Sequence, residues 1–478
     1  MIILIIEEII NKLLNDIRSI PPIFWALNLL QMLEKLAYWC VLLQMPIYIA
    51  QKDITGGLHW EQTVKGLIFF WWALVQNIIP IFSGGFADKY SHKKTMFISI
   101  IIIAIGYFVL ATQRNFYPFL FGTIILGLGS GMFKPALQGS VAKTIDKTKS
   151  KTGWAVYFML LNLAVFFGPP LSKLLKEISW EAVFIGSAVI ILLNLIIILF
   201  LNENNNNNEN KEITYYPVIK NIFVNLLKPR VGLFVFIMSG FTIIYMQFYE
   251  TLPNFIYDWT DTSGLANALH LPGFMLMETA RGTMISYEWL YNLNAGLVFI
   301  GVVFVSWWFS KIHRNYALII GILFAGIGLF LSGATYYGSF TVIGIIVYTF
   351  GEMLTNPKFS EQMSTLAGKS EKGLYMSFLN ISLAIGLGGG SLLGGWLYKH
   401  YAEKSSLAIN YLHTHFGINN VNPTEAFDKL SEMAKLNPND LSLMLWKEYQ
   451  PWFVWLPFIG IGLISCVSLY FYSRKFKD

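Results

Sequence analysis

The chain has 478 residues, of which 55% are hydrophobic, 16% aromatic and only 13% charged. Soluble domains carry about 25% charged residues, so the composition excludes an ordinary soluble enzyme or binding module and points to a chain solvated by lipid. The net charge of +6, from 34 basic and 28 acidic residues, does not indicate nucleic acid, because the basic residues fall in short clusters between apolar runs. Cys40 and Cys466 are far apart in apolar segments and offer no metal spacing.

In chain order, residues 1–21 place Ile2, Ile5, Ile6, Ile9, Leu13 and Ile17 opposite Glu7, Asn11, Lys12 and Asn15. This is either an amphipathic helix on the membrane surface, ended by Pro21–Pro22, or a loose N-terminal extension. It lacks the basic start, unbroken apolar core and cleavage site of a secretory signal. Runs of about 20 apolar residues suffice to cross a bilayer. The sequence predicts twelve, near 22–49, 64–87, 95–112, 117–140, 153–172, 181–201, 229–257, 290–310, 316–334, 338–357, 374–398 and 451–472. The expected fold class is therefore an all-α membrane protein.

Lys and Arg crowd the connections on one side, including Lys89, Lys93, Lys94, Lys143, Lys147, Lys149, Lys151, Lys311, Arg314, Arg474 and Lys475. The positive-inside rule then places both termini in the cytoplasm, with segments 258–289 and 399–450 as outward insertions, the second helical around TEAFDKLSEMAK. The polar tract NENNNNNENKE at 202–212 buries nothing and belongs to a linker, 202–228. It divides a six-helix bundle, 22–201, from a second, 229–478, the layout of a transporter built from two related halves.

Several polar residues interrupt the apolar runs. Lys134, in LGSGMFKPALQG (128–139), lies within a span, where a lysine costs about 2.5–3.5 kcal/mol on insertion scales and calls for a partner, water or a function. It serves either transport or a fixed structural bridge. In QMLEKLAYW (31–39), Gln31, Glu34, Lys35 and Tyr38 fall on one helical stripe that should face a polar cavity. Glu34 and Lys35 are sequence neighbours that diverge by about 100° on a helix and are not expected to pair with each other. Glu250, in FYETLPNF, is either a second protonation site or a solvated cap near the outer interface. Glu278, Arg281 and Glu288 are expected to be solvated, and no role is assigned to His400 or His413. No Ser/His constellation, metal-ligand pair or GxxxxGK[ST] loop is present, so no catalytic residue, metal or cofactor is expected.

The segment GGFADKYSHKKT (84–95) resembles the loop signature of the major facilitator superfamily, with Gly84, Asp88, Lys89 and Lys93 at the motif positions and Ser91 and His92 replacing the usual glycine and first basic residue. In that superfamily these residues latch helix ends together on the cytoplasmic side. Within it, QMLEKLAYWC is similar to the span-one signature of the proton-dependent oligopeptide transporter family. Gln31 stands at its first glutamate, Glu34 at its second, Lys35 at its arginine, Leu36 at its aromatic and Tyr38–Trp39 at its tyrosine pair. GLGSGMFKP (127–135), YFMLLNLAVFFGPPL (157–171) and GEMLTNPKFSEQMSTLAG (351–368) resemble that family's spans four, five and ten.

The resemblance implies a major facilitator fold and a secondary transporter that couples proton entry to uptake of di- or tripeptides by alternating access. It implies proton-linked ion pairs at Glu34, Lys35 and Lys134, with Lys134 pairing Glu34 or a substrate carboxylate. Glu250 joins these as a candidate from its own position in a span. Substrate contacts are implied for Tyr38, Lys134, Asn162 and Glu352, with Glu352 receiving a substrate amine or an opposing charge from the other bundle. The alternatives are a facilitator for another small zwitterion or organic anion, or a non-transporting receptor on the same fold. Expected partners are a small-molecule substrate, protons and the lipid bilayer of the cell (inner or plasma) membrane, with the chain a multi-pass monomer and the proton gradient as driving force.

Overall fold

The structure is a computed structural model that describes residues 19–145, 150–201, 220, 224–366 and 372–476; a few side chains inside helices, among them those of Gly84, Asp88 and Lys89, also lie outside that set, as do residues 1–18 of the N-terminal segment. The apolar runs become helices because hydrocarbon offers the backbone no hydrogen-bond partners, and a helix satisfies its own. The first half supplies α1 (Pro22–Ala50), α2 (Gln62–Tyr90), α3 (His92–Thr112), α4 (Phe116–Thr144), α5 (Ser150–Ile178) and α6 (Trp180–Phe200). The second begins with α7 (Pro229–Glu250), which breaks at Thr251 and resumes as the short α8 (Leu252–Trp259).

After α9 (Ser263–Ala268), an antiparallel hairpin pairs β1 (Leu276–Thr279) with β2 (Gly282–Ile285), with Leu276 opposite Ile285. The long helices α10 (Tyr287–Trp308), α11 (Arg314–Gly333), α12 (Gly338–Leu366) and α13 (Lys372–Tyr401) follow. Segment 399–450 folds into α14 (Lys404–Phe416), α15 (Ala426–Ala434) and α16 (Pro438–Tyr449), and α17 (Leu456–Lys475) closes the second bundle. The expected helix around TEAFDKLSEMAK is α15. Among the described residues, 11 helices are long and apolar enough to cross a membrane; α10 occupies the remaining predicted span, 290–310. Large side chains such as Phe121, Phe236, Ile300 and Phe471 stand exposed along these helices, as a lipid-facing surface requires.

Each bundle buries its own core, and the two meet mainly where α2 crosses α13 and α5 crosses α10. The first crossing is backbone to backbone. A Cβ on Gly66 would collide with the Ser391 carbonyl, and one on Gly395 with the Gln62 carbonyl, so only glycine allows this approach. The α2–α13 contact lies near the face that carries the hairpin and α14–α16, here termed the insertion face; the opposite, linker face carries Leu201 at the end of α6 and Lys228 at the start of α7.

Candidate functional site

Gln31 and Glu34 are buried on α1, with Lys35 and Tyr38 half-buried beside them. Glu34 does pair with its neighbour: Lys35 Nζ lies 2.9 Å from Glu34 Oε2. This corrects the expectation drawn from helical angles. The flexible four-carbon lysine stem spans the divergence, and in a poorly solvated site an ion pair outweighs the lost rotamer freedom. Lys35 Nζ also sits 5.1 Å from the Tyr38 ring centre, and Gln76 donates to the Tyr38 hydroxyl at 3.4 Å.

Lys134 lies on α4, which runs unbroken through Pro135. It is exposed, and no described carboxylate lies within 4.0 Å of it, so the expected pair with Glu34 is not formed. Glu34 is already neutralised by Lys35, and these two are the charges that act on Lys134. Across the molecule Glu352 is buried on α12 and accepts from Asn294 at 2.9 Å and Asn356 at 3.4 Å. No described cation lies within 4.0 Å of it. Among the described residues, one bundle therefore holds a cation, Lys134, without an anion within 4.0 Å, and the other a carboxylate, Glu352, without a cation.

Where the two bundles meet is a cavity of about 80 Å³ whose walls include Tyr38, Trp39, Trp72, Tyr245 and Tyr249. Its first wall adjoins the Lys35 side through Tyr38, and its second is within electrostatic reach of Glu352 through Tyr245 and Tyr249. The rings touch across the bundles, with Trp39 and Tyr249 centroids 5.0 Å apart. Asn162 does not join this group. It donates to the Phe158 carbonyl of its own helix at 2.9 Å, a local bond that occupies its amide.

The insertion face is tied together by side chains from both bundles. Glu288, expected to be solvated, is 1% exposed. Its Oε1 accepts from Lys176 at 3.0 Å and from Gln44 at 2.9 Å, and Gln44 also donates to Ser172 at 2.9 Å. The Tyr287 hydroxyl donates to Gln44 Oε1. This is a correction with a plain cause: at the start of α10, Glu288 is pressed against α5 rather than left in a loop. Glu278 is exposed as expected, and Arg281 is half-buried.

On the other flank Lys65, fully buried on α2, donates to the Glu250 backbone carbonyl at 3.0 Å and to Asn254 Oδ1 at 2.9 Å. Asn254 in turn donates to Gln51 Oε1 at 3.2 Å, and Gln51 donates to Asp258 Oδ1 at 2.6 Å. Tyr398 donates to Asp258 Oδ2 at 2.6 Å. Glu250 is 0% exposed, which removes the solvated-cap alternative. Burial pushes the Asp258 carboxyl above its ordinary value, although Lys404 pulls the other way. Burial likewise lowers Lys52, which donates to the His59 and Trp60 carbonyls at 2.8 and 2.9 Å. At the rim, Lys399 donates to Glu61 at 2.5 Å. Among the described residues, every side-chain hydrogen bond and ion pair between the bundles falls on this face.

At the linker face, Lys93 donates to the Leu201 carbonyl at 2.5 Å, joining the start of α3 to the end of α6. Ser91, at the resembled motif's glycine position, has φ 114°, a conformation that strongly favours glycine. Its hydroxyl accepts from Lys94 N at 3.3 Å, which caps α3.

Comparison with known proteins agrees with this architecture. The Major Facilitator Superfamily profile matches residues 27–391. The chain belongs to that superfamily. It is an integral membrane protein of a transporter family. Its sequence is similar to the multidrug resistance protein MdtH of Blochmanniella pennsylvanica, 20% identical over 378 residues that cover 79% of this chain and 86% of the relative. MdtH of Yersinia enterocolitica is 21% identical, covering 71% and 79%. Among solved structures, one reported for substrate recognition in proton-dependent oligopeptide transporters aligns with TM-score 0.66 at 15% identity, covering 94% of this chain and 98% of that one. A POT family transporter in complex with 5-aminolevulinic acid aligns at 0.63 and 16%, covering 90% and 97%. The nucleoside transporter NupG aligns at 0.64 and 15%, covering 94% and 99%. At these identities the likeness carries the superfamily fold.

Lys65, Lys176, Asp258 and Glu288 were not singled out by sequence as bundle-bundle contacts. Lys65 and Lys176 carry the same signal as Lys134, a lysine within or at the end of an apolar run.

Proposed function

We propose that the chain is a proton-coupled transporter of short peptides or similar small zwitterions, working by alternating access across the cell membrane. The observation that carries this reading is a pair of charges without an opposite charge within 4.0 Å among the described residues, the cation Lys134 on one bundle and the carboxylate Glu352 on the other, with an aromatic cavity where the bundles meet. Unpaired charges in a low-dielectric site are costly. A ligand with a carboxylate at one end and an ammonium at the other neutralises both, and the aromatic walls take an apolar side chain between them. In this reading the insertion face is extracytoplasmic, both termini are cytoplasmic, and the structure is the outward-closed form.

Glu34 and Glu250 are the carboxylates we assign to proton carriage. Each stands against a lysine, Lys35 at 2.9 Å and Lys65 through the adjoining backbone carbonyl. Protonating either removes one partner of an attraction and favours a different arrangement of the bundles. A second reading, transport of a lipophilic organic compound, is favoured by the six aromatic side chains of the cavity and by the relatives named as multidrug resistance proteins.

The test is uptake of a labelled dipeptide into proteoliposomes under an imposed pH gradient, beside Glu352→Gln. Gradient-dependent uptake by the wild type that collapses in the variant is the expected result. Gradient-dependent movement of a lipophilic cation with no dipeptide uptake favours the second reading.

A further inference from the structure

Beyond the closed gate, on the insertion face, lies a separate cavity of about 210 Å³. Three aromatic rings line it, from Trp259 at the end of α8, Tyr336 after α11 and Trp446 on α16. Trp446 stands 5.9 Å from Trp259 and 6.2 Å from Tyr336, ring centre to ring centre, at steep angles of 63° and 68°. The box is thus built by three segments distant in sequence. Charges of both signs share its lining: Arg281 from the β1–β2 turn, and Asp261 and Asp440.

The state of Arg281 is the informative feature. Its guanidinium makes one hydrogen bond, Nη2 to the Tyr257 carbonyl at 2.7 Å, and no described carboxylate lies within 4.0 Å. Burial works against its charge, while Asp258 and Asp261 act to keep it. An arginine set into a cavity with most of its donor fork unused is suited to a carboxylate, which it can grip in two places. The turn that carries it is held from outside, since Asn439 donates to the Arg281 carbonyl at 3.2 Å. Asp261 and Asp440 offer anionic oxygens to an ammonium, and aromatic faces add cation–π attraction.

We propose that this cavity is an outer receiving site for the zwitterionic substrate, with Arg281 on its carboxylate, Asp261 and Asp440 toward its ammonium, and the Trp259–Tyr336–Trp446 box around its side chain. This rests on the reading of the chain as a carrier of short peptides. The placement gives the site a purpose. Helix α8 presents Trp259 to this cavity and Asp258, one residue earlier, to the gate bonded by Gln51 and Tyr398. A captured peptide waits beside the residues that must part for the gate to open, which raises its local concentration there.

The test has two readouts with labelled Ala–Phe dipeptide and the full chain. Equilibrium dialysis of purified protein should give two dipeptides bound per wild-type chain and one per Arg281→Gln or Trp446→Ala chain, with Trp446→Phe restoring the second. Initial-rate uptake should show KM raised about tenfold in Arg281→Gln, the loss expected for one charge-assisted contact, at unchanged maximal rate. A single bound dipeptide in the wild type, or an unchanged KM in Arg281→Gln while wild-type uptake is intact, overturns the outer site and leaves the central one standing. Wild-type protein that takes up no dipeptide overturns the central reading; the outer site then stands if one dipeptide binds per wild-type chain and none per Arg281→Gln chain, and falls otherwise. If Trp446→Ala protein fails to fold, Arg281→Gln, at a hairpin turn whose neighbours Ala280 and Gly282 are exposed, decides between these outcomes.

Discussion

The insertion-face interface and the central cavity are built from the same residue types and treat them in opposite ways. At the interface, Lys65, Lys176, Asp258 and Glu288 each meet a partner from the other bundle within 3.0 Å, as Gln51 does for Asp258. Away from that face, Lys134 on one bundle and Glu352 on the other have no opposite charge within 4.0 Å among the described residues. A buried carboxylate without a cation, as at Glu352, is costly, so the contrast separates charges that hold a conformation from charges kept ready for something that arrives. The two regions should therefore respond differently when a charge is removed.

The largest effect should follow Glu288→Gln. It leaves the Lys176 ammonium in a mostly buried site without its anion, a loss of about 3 kcal/mol for a broken pair of this kind. The expected outcome is a lower unfolding temperature in detergent, with label distances across the insertion face shifted toward an open form. The double variant Lys176→Met with Glu288→Met should recover most of the stability. A Glu288→Gln protein as stable and as closed as the wild type would remove the interface from the account.

Lys134→Gln should do the reverse. Uptake falls by at least about tenfold, since a hydrogen bond to a charged group contributes about 1.5–3 kcal/mol, while the unfolding temperature holds or rises. A clear drop in stability would instead make Lys134 a structural bridge.

Asp258 gives the interface a pH dependence whose sign can be worked out. Burial raises its carboxyl above the value it has when the face is open, so protonation favours the closed form. That contribution is complete below the ordinary carboxylate value and is lost as pH rises through the raised one. Label distances between α1 and α8 should shorten on acidification in the wild type, and this part of the response should vanish in Asp258→Asn. The smallest effect belongs to Glu61→Gln at the rim. Its bond to Lys399 is exposed, so the closed form should lose at most about 1 kcal/mol, and the difference should disappear in high salt.

How much of this was legible in the sequence follows from the range of the interactions. The long helices were readable, because a bilayer imposes a length and a polarity that each segment shows alone. Lys134 and Glu34 stood out as charges in apolar runs, and Glu352 through the resemblance of its segment to the peptide transporter family. The partner choices did not. Lys176 and Glu288 are 112 positions apart and Gln51 and Asp258 are 207 apart, so only the packed bundles bring them together. Glu288 was misjudged because a residue at a span boundary is equally compatible with solvent and with a neighbouring helix. Glu34 and Lys35 were misjudged because helix angles describe Cβ directions and not the reach of a lysine.

The most direct test of the central claim is a comparison of blocked dipeptides as competitors for labelled dipeptide uptake, using wild type, Glu352→Gln and Lys134→Gln. In the wild type, capping the peptide's amine or its carboxylate should each weaken competition about tenfold or more. Residual uptake in Glu352→Gln should no longer distinguish free from acetylated amine, and that in Lys134→Gln should no longer distinguish free from amidated carboxylate. If both variants keep the full wild-type discrimination at both ends, these two charges do not hold the substrate and the account fails.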